Sequence, residues 1–568
     1  MSSLLLPSTW QWTRQPAACR RAWSVATSLQ RTIRTHRAST KLVDRQSSVP
    51  AAEVPKVKLS AGNAQESYLE TRKSSFAALG LDSRFVKALQ TAFSKVVEPT
   101  GVQERLIPEV LGDKDILLKD ITGSGKSFGL ILGLLNKPRK VLHVAGGKKR
   151  AVTTLFVVPH RDLAFQLLHW IERLTSVMRP SPPLRSIVQV LVRGSDAAGA
   201  SRAERIAELK KTPPHILICT PQALKEVYEE DKTALKLDTL STVVVDEVDY
   251  LVDIDDKNRR KIKHPGPTRE MLDVIYARRK ELCENQYDPS EDEEGQYESV
   301  AEWRNEKERE EEIPQLILSS ATLKVHFKNF LFTESGWLNS YNLVKISGDK
   351  KSGAGRIMHS ILVTTENGVK NIEGAVQIAR EEEEIRGMEA EEEEAEEDEA
   401  GNEYFNAKYR KTPSPFDPSG MEAIATAFAL DVPSIALLVI PSSAPVHRAV
   451  HELRELGVNA EILDLLVGKK GQAYLMSGDV EKIRANPRLL VATVATTRGV
   501  DLPELSHVFM LGMGDGGRDG YVHVAGRVGR FGRAGKVISV VSDQNEAVRM
   551  NRLLATIGEQ PVLFQHFD

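Results

Sequence analysis

Nine residues, KDITGSGKS (119–127), place a lysine and a serine behind two glycines, between the apolar runs DILL and FGLILGLL. Gly123 and Gly125 can take the left-handed backbone that turns consecutive N–H groups toward one anion, and a helix beginning near Lys126 adds its dipole. In such a loop, built from Thr122, Gly123, Ser124, Gly125, Lys126 and Ser127, the lysine reaches the β- and γ-phosphates of a nucleoside triphosphate and the serine holds Mg2+. One position departs from the usual pattern G-x-x-x-x-G-K-[ST], because Asp120 stands where the first glycine belongs. The chemistry also needs an acid at the end of another strand, which holds the metal through water. TVVVDEVD (242–249) offers Asp246 for that task, with Glu247 beside it to orient or deprotonate the attacking water.

A scaffold must bring these two segments together. Short β-branched runs recur at 115–118, 154–159, 187–192, 215–220, 242–247 and 315–321, with helical stretches such as LAFQLLHWIERL and AERIAELKK between several of them. Near-continuous apolar strands alternating with helices predict a parallel sheet covered on both faces. A second series at 358–365, 434–440, 460–465, 488–494, 506–511 and 536–541 exceeds what one doubly wound domain needs. The expected fold class is therefore α/β, with two tandem doubly wound parallel-sheet lobes. The first lobe is expected over residues 76–345 and the second over 357–568. ISGDKKSGAGR (346–356) has the composition of a linker between them.

Charge is segregated along the chain. Residues 381–399 hold 13 acids and one base, and residues 284–312 hold 13 acids and three bases, so both are expected as solvated insertions. Residues 1–43 carry seven Lys and Arg and no acid, the composition of a mitochondrial transit peptide, and 44–75 reads as a variable extension. Without residues 1–43, 284–312 and 381–399, 65 basic residues face 52 acidic ones, a surplus that suits a polyanionic partner. Cys19, Cys219 and Cys283 form no CxxC pair, which argues against a disulfide framework and a zinc site. No apolar stretch reaches the roughly 18–20 residues that span a bilayer.

Further segments follow in a recognisable order, and together they resemble the DEAD-box RNA helicases from Phe76 to the C-terminus, insertions aside. In that family the phosphate loop reads A-x-T-G-S-G-K-[ST], so the missing glycine is no objection, although Asp120 still replaces an alanine. EPTGVQ resembles the adenine-reading Q motif, which implies that Gln103 bonds the base and Phe76 stacks on it. PHRDLAFQ resembles P-T-R-E-L-A-x-Q, RGSD a glycine turn at Gly194, and TPQAL the T-P-G-R segment. The resemblance puts Arg161, Gly194, Thr220 and Pro221 on an RNA path, joined by Thr497. DEVD stands for D-E-A-D, and SSAT, with Ser320 and Thr322, for the segment that couples hydrolysis to lobe movement.

In the second lobe VATVATTRGVD (491–501) is similar to V-A-T-D-V-A-A-R-G-[LI]-D, with Val494 in place of the aspartate and Asp501 implied at the ribose. YVHVAGRVGR (521–530) is similar to Y-x-H-R-x-G-R-x-G-R, keeping His523, Arg527 and Arg530 but replacing the first arginine by Val524. The resemblance implies that Arg527 and Arg530 neutralise γ-phosphate charge in the transition state. It implies ATP and Mg2+ as cofactors and RNA read by backbone and shape. The departures, the N-terminal composition and NIEGAV (371–376) look most similar to a fungal mitochondrial branch implicated in assembling the large ribosomal subunit. A monomer in the mitochondrial matrix, acting on mitochondrial ribosomal RNA beside ribosomal or assembly proteins, is the expectation. Two alternatives stay open: a DNA-directed helicase, and an RNA-binding scaffold without turnover, for which Asp120, Val494 and Val524 speak.

Overall fold

The structure is a computed structural model that describes residues 75–144, 147–194, 201–254, 265–277, 279, 313–348, 357–365, 368–377, 409, 412–431, 433, 435–463, 487–500, 502, 505–529 and 534–567. The transit-peptide expectation, both acidic tracts, Asp501 and Arg530 lie outside the described residues.

The first lobe is a seven-stranded sheet of β1 (Asp115–Lys119), β4 (Thr154–Val157), β5 (Val188–Leu191), β6 (Ile216–Cys219), β7 (Thr242–Val245), β8 (Gln315–Ser320) and β9 (Leu343–Ser347). Its order is β5-β6-β4-β7-β8-β1-β9, and every described pairing is parallel. Strand side chains alternate between faces, so an all-apolar strand serves two cores at once. On β1, Ile116 and Leu118 join a cluster with Phe156, Ile218, Val244 and Ile317. Leu117 joins the opposite cluster with Leu155, Leu217, Val243 and Leu316. Removing a buried leucine from either face costs about 2–5 kcal/mol.

The second lobe repeats the plan with β10 (Ile357–Thr365), β11 (Gly368–Asn371), β12 (Ile435–Ile440), β13 (Ala460–Ile462), β14 (Arg488–Thr493), β15 (His507–Leu511) and β16 (Gly535–Val541). The order is β11-β10-β16-β15-β12-β14-β13, parallel except for the β10–β11 hairpin. Leu437 and Val439 face one core, and Ala436, Leu438 and Ile440 face the other. Both lobes belong to one compact unit, Ser74–Arg279 with Tyr297–Asp568. Among the described residues, no helix is long and apolar enough to cross a membrane.

The expected strands are present with shifted ends. The run expected to reach Glu247 stops at Val245, because Glu247 turns into a left-handed conformation (φ 54). Ile187 closes a short helical turn, Leu184–Ile187, and the strand begins at Val188. Strand β9 takes Ile346 and Ser347 from the segment expected as a linker. Its sequence carries no clear strand signal, because it is an edge strand, half polar and mostly only partly buried. An antiparallel hairpin of β2 (Val141–Val144) and β3 (Gly147–Arg150) adds to the expected strands.

His359, buried on β10, lies 2.7 Å from the Tyr521 hydroxyl through Nδ1, and burial lowers its pKa to about 4. Below the ordinary histidine value near 6.5 the unfolded chain takes up a proton that the folded chain refuses. Stability is therefore full above that value and lost as pH falls toward 4. Denaturant titration at pH 7 and pH 5 should show that His359→Gln removes about 2 kcal/mol of the acid-induced loss seen in the parent chain.

Candidate functional site

The loop between β1 and the helix Lys126–Asn136 has the conformation that its glycines permit, with φ 79 at Gly123 and φ 92 at Gly125. Gln103 braces it from the helix Gly101–Leu111, in which a capping box joins Thr100 and Gln103. The Gln103 amide nitrogen donates to the Gly125 carbonyl at 3.1 Å, its oxygen accepts from Thr100 N–H, and the Thr100 hydroxyl donates to Ser124 O. A Cβ on Gly125 would lie 2.6 Å from Gln103 Nε2, so glycine is needed there for space as well as for its φ.

Lys126 is folded back onto its own loop, donating to the carbonyls of Asp120 at 2.9 Å and Ile121 at 2.7 Å. Burial pulls its pKa below the usual lysine value, Glu247, Asp246 and Asp120 oppose that pull, and Arg527 adds to it. Asp120 is satisfied locally: its Oδ1 accepts from Ile121 N–H at 2.8 Å, and the carboxylate fills the space beside Gly348 where a Cβ would go. Ser127 Oγ donates to Asp246 Oδ2 at 2.6 Å, so the loop and the end of β7 meet side chain to side chain. Burial, then Glu247 beside it, push the Asp246 pKa upward. A hydroxyl and a carboxylate converging in this way are hard oxygen donors that fit Mg2+.

Glu247 and Lys236 are the two non-glycine residues with positive φ among the described residues. Such a conformation costs about 1–2 kcal/mol, and at Glu247 it turns a buried carboxylate toward the cleft. There it meets the second lobe. His523, on the helix Gly517–Ala525, sits with Nδ1 3.4 Å from Glu247 Oε2 and Nε2 3.6 Å from Asp249 Oδ2. Asp249 also accepts from Ser320 Oγ at 2.6 Å and from the Thr322 hydroxyl. Burial raises the Asp249 pKa, but His523, Ser320 and Thr322 outweigh it and hold the carboxyl at about 2.

Within the second lobe, Arg527 donates from Nε to His523 O at 2.9 Å and from Nη1 to Val500 O at 2.8 Å. Other contacts cross the cleft. The Arg498 guanidinium lies 4.5 Å from the Tyr250 ring centroid. Lys324 pairs with Asp519 at 2.8 Å. Thr122 Oγ1 fills the space beside Gly526, where a Cβ would approach it to 1.5 Å.

Of the residues expected at the site, those of the phosphate loop, Asp246, Glu247, Ser320, Thr322, His523 and Arg527 are brought together. Phe76 is not: it is 2% exposed and packed with Leu79, Phe85 and Leu89. Its ring is a core residue here, without a free face for a base. The Gln103 amide is engaged with the loop. Arg161 and Gly194 are neighbours, and Thr220 and Pro221 begin the helix Pro221–Glu230. These four follow β4, β5 and β6, adjacent strands whose carboxyl ends share one edge. Thr497 is 1% exposed, with its hydroxyl donating to Val494 O at 2.9 Å, and does not reach a surface. Sequence reasoning missed Asp249, the hub of the cleft, although the second aspartate of DEVD was in view.

Residues 100–329 match the DEAD/DEAH box helicase family, and residues 468–532 match the helicase conserved C-terminal domain. A 181-residue stretch is 33% identical to the probable ATP-dependent RNA helicase DDX28 of Homo sapiens, covering 32% of this chain and 31% of that protein. A 192-residue stretch is 34% identical to the ATP-dependent RNA helicase DBP9 of Pyricularia oryzae, covering 34% of this chain and 28% of that one. Similarity to the mitochondrial DEAD-box ATP-dependent RNA helicase 47 of Arabidopsis thaliana is 28% over 200 residues, 34% of each chain. The matched stretches thus span about a third of the length of these relatives. Among solved structures, Saccharomyces cerevisiae Dbp5 bound to RNA and ADP BeF3 aligns with TM-score 0.53 and 16% identity, over 86% of this chain and 95% of that one. Mss116p bound to single-stranded RNA and AMP-PNP aligns with TM-score 0.54 and 18% identity, over 87% and 80%. These likenesses establish the two-lobed fold. By its two matched domains and these relatives, the chain belongs to the DEAD-box helicase family.

Gly526 has φ −69, which alanine tolerates, so Gly526→Ala tests space alone. The variant should melt within about 3 °C of the parent chain. Its ATP turnover should fall about tenfold or more, because the added methyl strikes Thr122 across the cleft.

Proposed function

We propose that this protein is an ATP-dependent RNA helicase, an RNA-stimulated ATPase that clamps single-stranded RNA and separates a short stretch of duplex. The observation that carries the reading is the position of His523 and Gly526: the second lobe reaches the strained Glu247 turn through the His523 side chain and meets Thr122 of the phosphate loop at Gly526, next to Arg527.

Several steps follow for this chain's own residues. Successive N–H groups around Gly123 and Gly125 receive the phosphates, and Lys126 leaves the carbonyls of Asp120 and Ile121 to follow them. That exchange gives a desolvated ammonium the anion its site favours. Ser127 and Asp246 would hold Mg2+, which when bound neutralises charge on the β- and γ-phosphates. Glu247 takes the role of orienting the attacking water and receiving its proton, and its fixed backbone limits where that water can sit. Arg527, with Arg530 beside it in sequence, supplies positive charge as the γ-phosphoryl group departs. Asp501 is assigned to the ribose. Gln103 holds the loop in shape, and the adenine contact implied for it would use the donor capacity its amide retains.

Arg161, Gly194, Thr220 and Pro221 form the RNA-facing edge of the first lobe. Backbone and phosphate contacts there carry little base information, so recognition is by strand shape. ATP and RNA each favour the docked arrangement of the lobes, and each raises affinity for the other. Hydrolysis then releases the clamp, through Ser320, Thr322 and His523 around Asp249.

We place this activity in mitochondria, on ribosomal RNA during assembly of the large subunit. The basic, acid-free first 43 residues and the mitochondrial relative at 28% identity support the compartment. Crosslinking of the tagged protein to RNA in isolated mitochondria should recover large-subunit ribosomal RNA, and recovery of messenger RNA alone would overturn the assignment.

Steady-state ATP hydrolysis, measured with and without single-stranded RNA, should be RNA-stimulated. Glu247→Gln should lower it about 100-fold or more while RNA binding persists. RNA binding without turnover in the parent chain would point to a scaffold instead.

A further inference from the structure

His160 stands where the pattern P-T-R-E-L has threonine, and its partly buried imidazole, 12% exposed, meets the second lobe. Its Nδ1 accepts from the N–H of Leu163 at 3.3 Å, which fixes the tautomer: the proton is on Nε2. That nitrogen faces the carbonyl oxygen of Arg498 and donates to it across the cleft. Both ring nitrogens are thereby satisfied in the neutral form. Burial, with Arg527 and Arg498 adding to it, holds the ring's pKa at about 4 against the opposing pull of the Arg498 carbonyl and Glu247.

Three further contacts converge on the same turn. A Cβ on Gly499 would lie 2.5 Å from Leu163 Cδ2, so the backbone of the second lobe rests directly on the residue that pins His160. The Arg498 side chain lies over the Tyr250 ring, next to the DEVD turn. Two residues after Arg498, the Val500 carbonyl accepts from Arg527 Nη1 at 2.8 Å. One short segment, 498–500, is therefore held by the first lobe on one side and holds Arg527 on the other.

We propose that His160 is a positioning residue for Arg527: by hydrogen-bonding the Arg498 carbonyl it docks the 498–500 turn on the first lobe, and that turn sets the arginine over the phosphate loop. The role rests on the reading of Arg527 given above. It does not require His160 to touch nucleotide or RNA. Threonine at this position is too short to span the cleft, so the coupling belongs to this chain's histidine.

The test is a double-mutant cycle on the full chain, with ATP turnover under saturating RNA as the first readout. His160→Ala should lower kcat about tenfold, with KM for ATP changed less than about threefold, since the loss falls on an arginine placed in the docked state. His160→Gln, whose amide nitrogen can replace Nε2 as donor, should recover most of the rate, and His160→Thr should not. In an Arg527→Ala background His160→Ala should have no further effect. Equal effects in both backgrounds, with no rescue by glutamine, would overturn the proposal and leave His160 as packing.

A second readout is independent of turnover: RNA affinity with and without a non-hydrolysable ATP analogue. His160→Ala should weaken RNA binding about tenfold with the analogue and leave it unchanged without it. No change in either condition would sink the docking role even if the parent chain hydrolysed no ATP. Loss of turnover in the parent chain with the analogue effect intact would instead count against the ATPase reading and leave the docking of the turn standing.

Discussion

The wedge of one imidazole between two carboxylates organises the site. His523 is 1% exposed and lies within 3.4 Å of the buried Glu247 and 3.6 Å of the partly buried Asp249. Buried carboxylates without a partner are costly, and these partners come from the opposite lobe and from Ser320 and Thr322. The arrangement ties the Glu247 turn to the contact between the lobes: separating the lobes would take the imidazole away from both acids. The strain at Glu247 fits the same logic, because a left-handed carboxylate residue persists only where its surroundings over-determine it.

The three departures from the family pattern are accommodated by packing. Val494 and Val524 share one buried apolar cluster in the second lobe, and Gly520, on the same helix as Val524, lies beside the Val494 side chain. Both positions are apolar, so neither substitution itself leaves a charge in that cluster. Replacing buried charges by well-packed apolar residues is often neutral or stabilising. Asp120 uses its carboxylate on its own loop and on the space beside Gly348, leaving Lys126 free to exchange partners. None of the three removes a donor or acceptor from the phosphate loop, the DEVD turn or Arg527.

Much of this was legible in the chain, for physical reasons that differ by element. Strands β1, β4, β6, β7 and β8 could be read because a strand buried on both faces must be continuously apolar, and few other structures produce that signal at that length. The phosphate loop could be read because its chemistry fixes residue types at fixed offsets. The edge strand β9 and the hairpin at 141–150 could not, since their half-polar sequences look like loops. Phe76 was misread as a stacking platform, as an aromatic residue alone does not reveal whether its face is covered. His160 and Gly526 gain their roles only across the cleft, from residues more than 300 positions away, or about 400 in the case of Gly526 and Thr122. Single-sequence reasoning has no access to that proximity.

The central claim is that His523, held between Glu247 and Asp249, locks the two lobes into the competent arrangement. The most direct measurement is the interlobe distance by energy transfer between dyes on cysteines at two exposed positions, Tyr341→Cys in the first lobe and Leu456→Cys in the second. It would be read with and without RNA and an ATP analogue, in the parent chain and in His523→Ala. The account predicts that both ligands together produce a single close population, and that His523→Ala shifts most molecules out of it. An unchanged close population in His523→Ala would contradict it.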